Sequence, residues 1–193
     1  MTTHFLTVPG LASSGPQHWQ TIWENQYPHL FSRVQQENWD WPVKVDWVAQ
    51  LEKQISELNV PTVLVAHSLG CITVAHWAQE HFSEYIKGAL LVAPADAELS
   101  KRLNFVVGFK PIPVRTMPFK SIVVASTNDI YASIQRSKVF AANWGSGFVN
   151  VGQKGHINAV SGVEDWQEGK NILGELGSLN QVDHEATKSL KIT

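Results

Sequence analysis

Residues 62–77, TVLVAHSLGCITVAHW, constrain the fold more than any other stretch of this chain. An apolar run at Thr62–Ala66 reads as a buried strand, and a segment of helical period begins at Leu69. Only a tight strand-to-helix reversal fits between them. Ser68 stands at its apex with small residues on either side, the setting of a nucleophile elbow. Ala66 occupies the place where that motif usually has its first glycine, the least bulky departure available. Such a turn lifts Ser68 above the carboxyl edge of the sheet and sets it at a helix N-terminus, which favours developing negative charge.

The same alternation of short apolar runs and longer amphipathic segments repeats along the chain, which indicates an α/β domain with a mainly parallel sheet. The pattern predicts strands at 4–8, 32–35, 62–66, 88–93, 121–126 and 147–151, the second being the weakest. Helices are expected at 18–26, 43–58, 69–81, 131–144 and 165–176. In the second of these, Trp47, Leu51, Ile55 and Leu58 form one apolar stripe. Residues 95–120 fit the alternation least: Pro111, Pro113 and Pro118 exclude one continuous helix. This stretch is expected to be an excursion at an edge of the sheet, opened by a short helix. One domain over residues 1–179 and a polar tail over 180–193 are expected.

Composition narrows the function. The 193 residues carry 15 Lys+Arg against 17 Asp+Glu, without the basic surplus of a general nucleic-acid binder. Hydrophobic residues make up 44%, enough for a sizeable core. The one cysteine, Cys71, offers neither an internal disulfide nor a zinc cluster and reads as a buried packing residue. His76 and His81 lie on different helix faces with no H-E-x-x-H motif, so no metal site is read. The start lacks a basic n-region and an apolar h-region, and no apolar run approaches the roughly 18 residues of a membrane span. No membrane association and a cytoplasmic location are the expectations. The loop after the first strand, PGLASSG, does not fit G-x-G-x-x-G, which argues against a dinucleotide enzyme.

A nucleophilic serine needs a base, and the base an orienting acid, following the serine in the order acid, then histidine. Asp129 follows the fifth predicted strand, in VVASTNDIY, and His156 follows the sixth, in FVNVGQKGHINA. Both fall at the sheet edge that carries Ser68. Asp96, after the fourth strand, is the rival acid, set aside because the acid usually lies two strands after the serine. The backbone N–H groups of Leu69 and Leu11 are the expected oxyanion donors. Trp39, Ile130 and Ile157 are candidate pocket walls, although packing over the sheet edge is the simpler reading of Trp39 and Trp41. His18 is read as a brace or cap of the first loop. His67 is read as shaped by the turn, without a direct catalytic role.

Four blocks, PGLASSGPQHWQTIWE (9–24), VLVAHSLGCITVAHWA (63–78), ALLVAPAD (89–96) and VVASTNDIY with GHINAVSG (123–131, 155–162), resemble the small serine hydrolases related to retinoblastoma-binding protein nine. The His-Trp pair and the Gly-His-Ile-Asn block are not general hydrolase features, and the similarity runs from about residue 5 to residue 170. The resemblance implies a reduced α/β-hydrolase fold with strand order 2-1-3-4-5-6 and little or no lid. It implies Ser68, Asp129 and His156 as the triad, acting on small esters or amides without metal or organic cofactor. The expected function is therefore hydrolysis of small carboxylic esters, with amides or short peptides next. The alternative is a protein-interaction module that keeps the fold without turnover. The apolar residues of 95–120 suit either a substrate entrance or a homodimer contact.

Overall fold

The computed structural model describes residues 3–176; the predicted tail at 180–193 lies outside them. Strands β1 (His4–Val8), β2 (Phe31–Arg33), β3 (Thr62–His67), β4 (Ile86–Val92), β5 (Lys120–Ala125) and β6 (Gly147–Asn150) form one sheet. All neighbouring pairs are parallel, and the order is β2-β1-β3-β4-β5-β6. Helices α1 (Trp19–Gln26), α2 (Lys44–Ser56), α3 (Leu69–Glu80), α4 (Ile134–Trp144) and α5 (Gln167–Gly174) cover its two faces. This is the expected α/β-hydrolase arrangement. No helix among the described residues is long and apolar enough to cross a membrane.

The central strands read as unbroken apolar runs because both faces are covered. Leu64, Ala66, Leu91 and Val123 point into a core shared with Trp47, Leu51, Ile72 and Trp144 on α2, α3 and α4. Val63, Val65, Leu90 and Val124 point the other way, against Trp19 and Trp23 of α1 and Ile172 of α5. Most boundaries lie within one to three residues of expectation, and two of the shifts have a visible cause. The edge strand β2 begins at Phe31, earlier than predicted, where that ring stacks on Phe5 of β1 at 4.8 Å between centroids. Helix α4 starts at Ile134 because Ser133 caps it, accepting a hydrogen bond from Arg136 N at 3.3 Å. The chain from 129 to 133 is thereby left as loop.

The excursion after β4 contains one turn of 3₁₀-helix, Lys101–Leu103, and is well anchored. Leu103, Val106, Phe109, Ile112 and Met117 are buried in the α2–α3–α4 core. Its main chain bridges to Val43, and the Trp144 indole donates to Pro113 O at 2.8 Å.

Main chain passes main chain closely between α3 and the end of β1. A Cβ added to Gly70 would sit 2.1 Å from Val8 O and 2.7 Å from Pro9 O. Both obstacles are main chain and cannot swing aside. Gly70→Ala should therefore lower stability by about 2 kcal/mol or more, read as a drop in the urea midpoint. An unchanged midpoint would show that α3 is free to move off β1.

Candidate active site

The elbow forms as the sequence requires. Ser68 adopts φ 56° and ψ −123°, a left-handed conformation costly for a residue with a Cβ. It is held from both sides: its N–H donates to Val92 O at 2.9 Å, and its carbonyl accepts from Cys71 N at 3.1 Å. Gly10 presses on the same turn, with a notional Cβ 2.7 Å from Ser68 Cβ and 3.1 Å from Leu69 N.

Three side chains from three loops meet at this point. His156 Nε2 lies 2.7 Å from Ser68 Oγ. His156 Nδ1 lies 2.9 Å and 2.8 Å from the two oxygens of Asp129. Opposite a carboxylate, Nδ1 must carry the proton, so Nε2 presents its lone pair to the serine hydroxyl. Asp129 is oriented in turn by Tyr131 N, which donates to Oδ1 at 2.8 Å, and the Tyr131 ring packs 4.4 Å from the imidazole. Ser68 and His156 are each only 7% exposed, which strengthens these charge-sensitive contacts.

The loops bearing Asp129 and His156 are sewn together by groups the sequence reading did not single out. Asn128 Oδ1 accepts from Gly155 N at 2.7 Å and from Ser126 Oγ at 2.8 Å. Ser126 Oγ accepts from Lys154 N at 2.9 Å. An Asn-Asp pair at a strand end favours a turn, but a partner 27 residues on leaves no local trace in the sequence.

A cavity of about 270 Å³ opens over Ser68, at the small end for a ligand site. Leu11, His18, His67, Leu103, Tyr131 and Asn158 are among its walls. Ala12 N and Ser13 N are taken by Trp39 O and Gly10 O, whereas Leu11 N and Leu69 N have no backbone acceptor among the described residues. The candidate pocket residues are placed elsewhere. Trp39 packs edge-on against Trp47 of α2, at 5.6 Å. Ile130 is 61% exposed and borders a separate depression beside Asp96 and Arg136. Ile157 is fully buried on the α1 side of the sheet. Ile130 and Ile157 each follow a residue of the site in sequence, yet neither lines the cavity over Ser68. Asp96, the rival acid, is committed to Arg136 through contacts of 2.6 Å and 3.1 Å and caps the N–H groups of Glu98 and Leu99.

Comparisons with known proteins bear on the family and the fold. The family described as Serine hydrolase matches residues 5–175. A YdeN-like hydrolase from Pectobacterium atrosepticum is 32% identical, with 91% of this chain and 90% of that one covered and a TM-score of 0.81. The ydeN gene product of B. subtilis is 21% identical over 91% of this chain and 98% of its own, with a TM-score of 0.75. Est1E from Butyrivibrio proteoclasticus, in a structure with bound ferulic acid, is 10% identical over 91% and 86%, with a TM-score of 0.64. At that identity the likeness is one of fold. No protein of curated function matches the chain.

One wall of the cavity has a consequence for pH. His18 is the N-cap of α1: its Nδ1 accepts from Gln20 N at 3.2 Å, so its proton sits on Nε2. Burial, then the charge of Arg33, then His156, lower its pKa to about 3. Between pH 6.5 and about 3 the unfolded chain therefore binds a proton that the folded chain refuses. Stability is undiminished by this group above pH 6.5 and falls below it, by about 1.4 kcal/mol per pH unit. His18→Asn keeps a capping side chain and removes the titration. Urea unfolding at pH 7.5 and 5.0 should show a smaller loss for His18→Asn than for the wild type; equal losses would place His18 in water.

Proposed function

The chain belongs to the serine hydrolase family, and on that premise we propose that it hydrolyses small carboxylic esters through an acyl-enzyme on Ser68, with His156 and Asp129 completing the triad. The observation that carries this reading is the unbroken line of hydrogen-bond contacts, 2.8 Å from Asp129 to His156 and 2.7 Å from His156 to Ser68.

His156 Nε2 takes the Ser68 proton as Oγ attacks the substrate carbonyl carbon. Asp129 keeps the imidazole in the productive tautomer and stabilises the imidazolium that forms. The N–H groups of Leu69 and Leu11 receive the oxyanion, a role favoured by their lack of backbone acceptors and by the packing of the first loop on the elbow. Collapse of the tetrahedral intermediate expels the alkoxide, which takes the proton from His156. Water then enters, gives a proton to Nε2 and attacks the acyl group, and Ser68 leaves with that proton restored. Amides and short peptides follow the same course with a poorer leaving group. The cavity of about 270 Å³ favours small acyl groups over long chains.

A fluorophosphonate probe should label the wild type stoichiometrically at Ser68, as read by mass spectrometry of the adduct, and should leave Ser68→Ala unlabelled. Ester hydrolysis should vanish in Ser68→Ala. Asp129→Asn should lower kcat roughly 10⁴-fold, as loss of the orienting acid does in serine proteases. Wild-type hydrolysis by Ser68→Ala would reject the assignment. Folded wild type that resists labelling would favour a protein-interaction module.

A further inference from the structure

The main chain that carries His156 is strained and is held by two buried ring N–H groups. Ile157, the next residue, has φ 48°. For a β-branched side chain this left-handed conformation is an outlier, and it persists only where the surroundings impose it. The surroundings are visible. His67 Nε2 lies 2.9 Å from the carbonyl oxygen of His156, and Trp19 Nε1 donates to the carbonyl oxygen of Ile157, also at 2.9 Å. A carbonyl can only accept, so the His67 proton sits on Nε2. Ile157 N closes the turn by donating to Lys154 O at 3.0 Å.

The two donors come from different elements, His67 from the end of β3 and Trp19 from the start of α1. His67 also immediately precedes Ser68, so one short piece of main chain presents the nucleophile while its side chain grips the base. Trp19 is immobilised by Trp23 at 4.6 Å and Trp166 at 5.3 Å between ring centroids. Its ring meets that of His67 edge-on at 6.1 Å.

We propose that His67 and Trp19 are positioning residues, which aim the His156 imidazole at Ser68 by clamping consecutive carbonyls of the loop that bears it. The inference rests on reading His156 as the general base. Losing either N–H leaves a buried carbonyl unpaired and lets the strained turn relax. Nε2 then drifts from Oγ, and the chemical step suffers more than binding.

The test uses ester hydrolysis by His67→Leu, His67→Gln and Trp19→Phe. Leucine and glutamine are close in size to histidine, but only glutamine retains an N–H near the lost Nε2. His67→Leu and Trp19→Phe should each lower kcat about 10- to 100-fold with KM little changed, and His67→Gln should recover most of the loss. The downfield proton resonance of the His156 Nδ1–H bonded to Asp129 should shift or broaden in His67→Leu and stay in place in His67→Gln. Equal activity in the leucine and glutamine variants would overturn the proposal, as would a folded Trp19→Phe with wild-type kcat. Should Trp19→Phe not fold, the leucine–glutamine comparison decides alone. Ser68→Ala, run alongside, separates the outcomes: if it stays active, the triad reading falls; if it is inactive while the two His67 variants match, only the clamp falls.

Discussion

Everything at this site depends on how closely a helix can approach the end of a neighbouring strand. Ser68 turns the chain through a left-handed conformation, and Gly10 and Gly70 remove the side chains that would otherwise hold β1 and α3 apart. The strain at Ser68 is offset by main-chain hydrogen bonds to Val92 and Cys71 and by the apolar burial of α3 between α2 and the sheet. One contact therefore sets Ser68 beneath the cavity and brings the first loop, with Leu11, beside it. Hydrogen bonds then carry the geometry outward to the loops of Asp129 and His156.

Much of this could be read from the residues in order. The elbow is local: an apolar strand, a small–His–Ser–x–Gly turn and a helix leave few alternatives, and β3 and α3 formed accordingly. Asp129 and His156 were legible because each follows a strand, and parallel strands deliver their ends to one edge. What stayed hidden depends on partners distant in sequence. Asn128 reaches Gly155, Trp19 reaches Ile157, and Asp96 is neutralised by Arg136 of α4. No periodicity encodes such pairings. Of the candidate pocket walls, Trp39 takes the packing role that was its simpler reading, against Trp47, and Ile157 is buried in the α1-side core through contacts distant in sequence.

The tryptophans show how an aromatic core can also do polar work. Trp19, Trp23, Trp47, Trp77 and Trp144 are all essentially buried, and each indole N–H has a named oxygen acceptor. Four of those acceptors are main-chain carbonyls in loops, which have few other means of satisfying them. Large rings thus fill the layers between helix and sheet while their edges fasten the connecting segments above.

The excursion after β4 is fastened at its start and again at Ile112 by one small network. Asp96 and Glu98 grip Arg136 of α4, and Glu98 also receives Ile112 N at 2.8 Å. Between these anchors the chain contributes Leu103 to the cavity above Ser68. The same stretch sets Val106, Phe109 and Ile112 into the α2–α3–α4 core, so the wall of the cavity and the packing below it are one piece of chain. A substitution that reshapes that wall must therefore also repack the core, which limits the residues the segment can take.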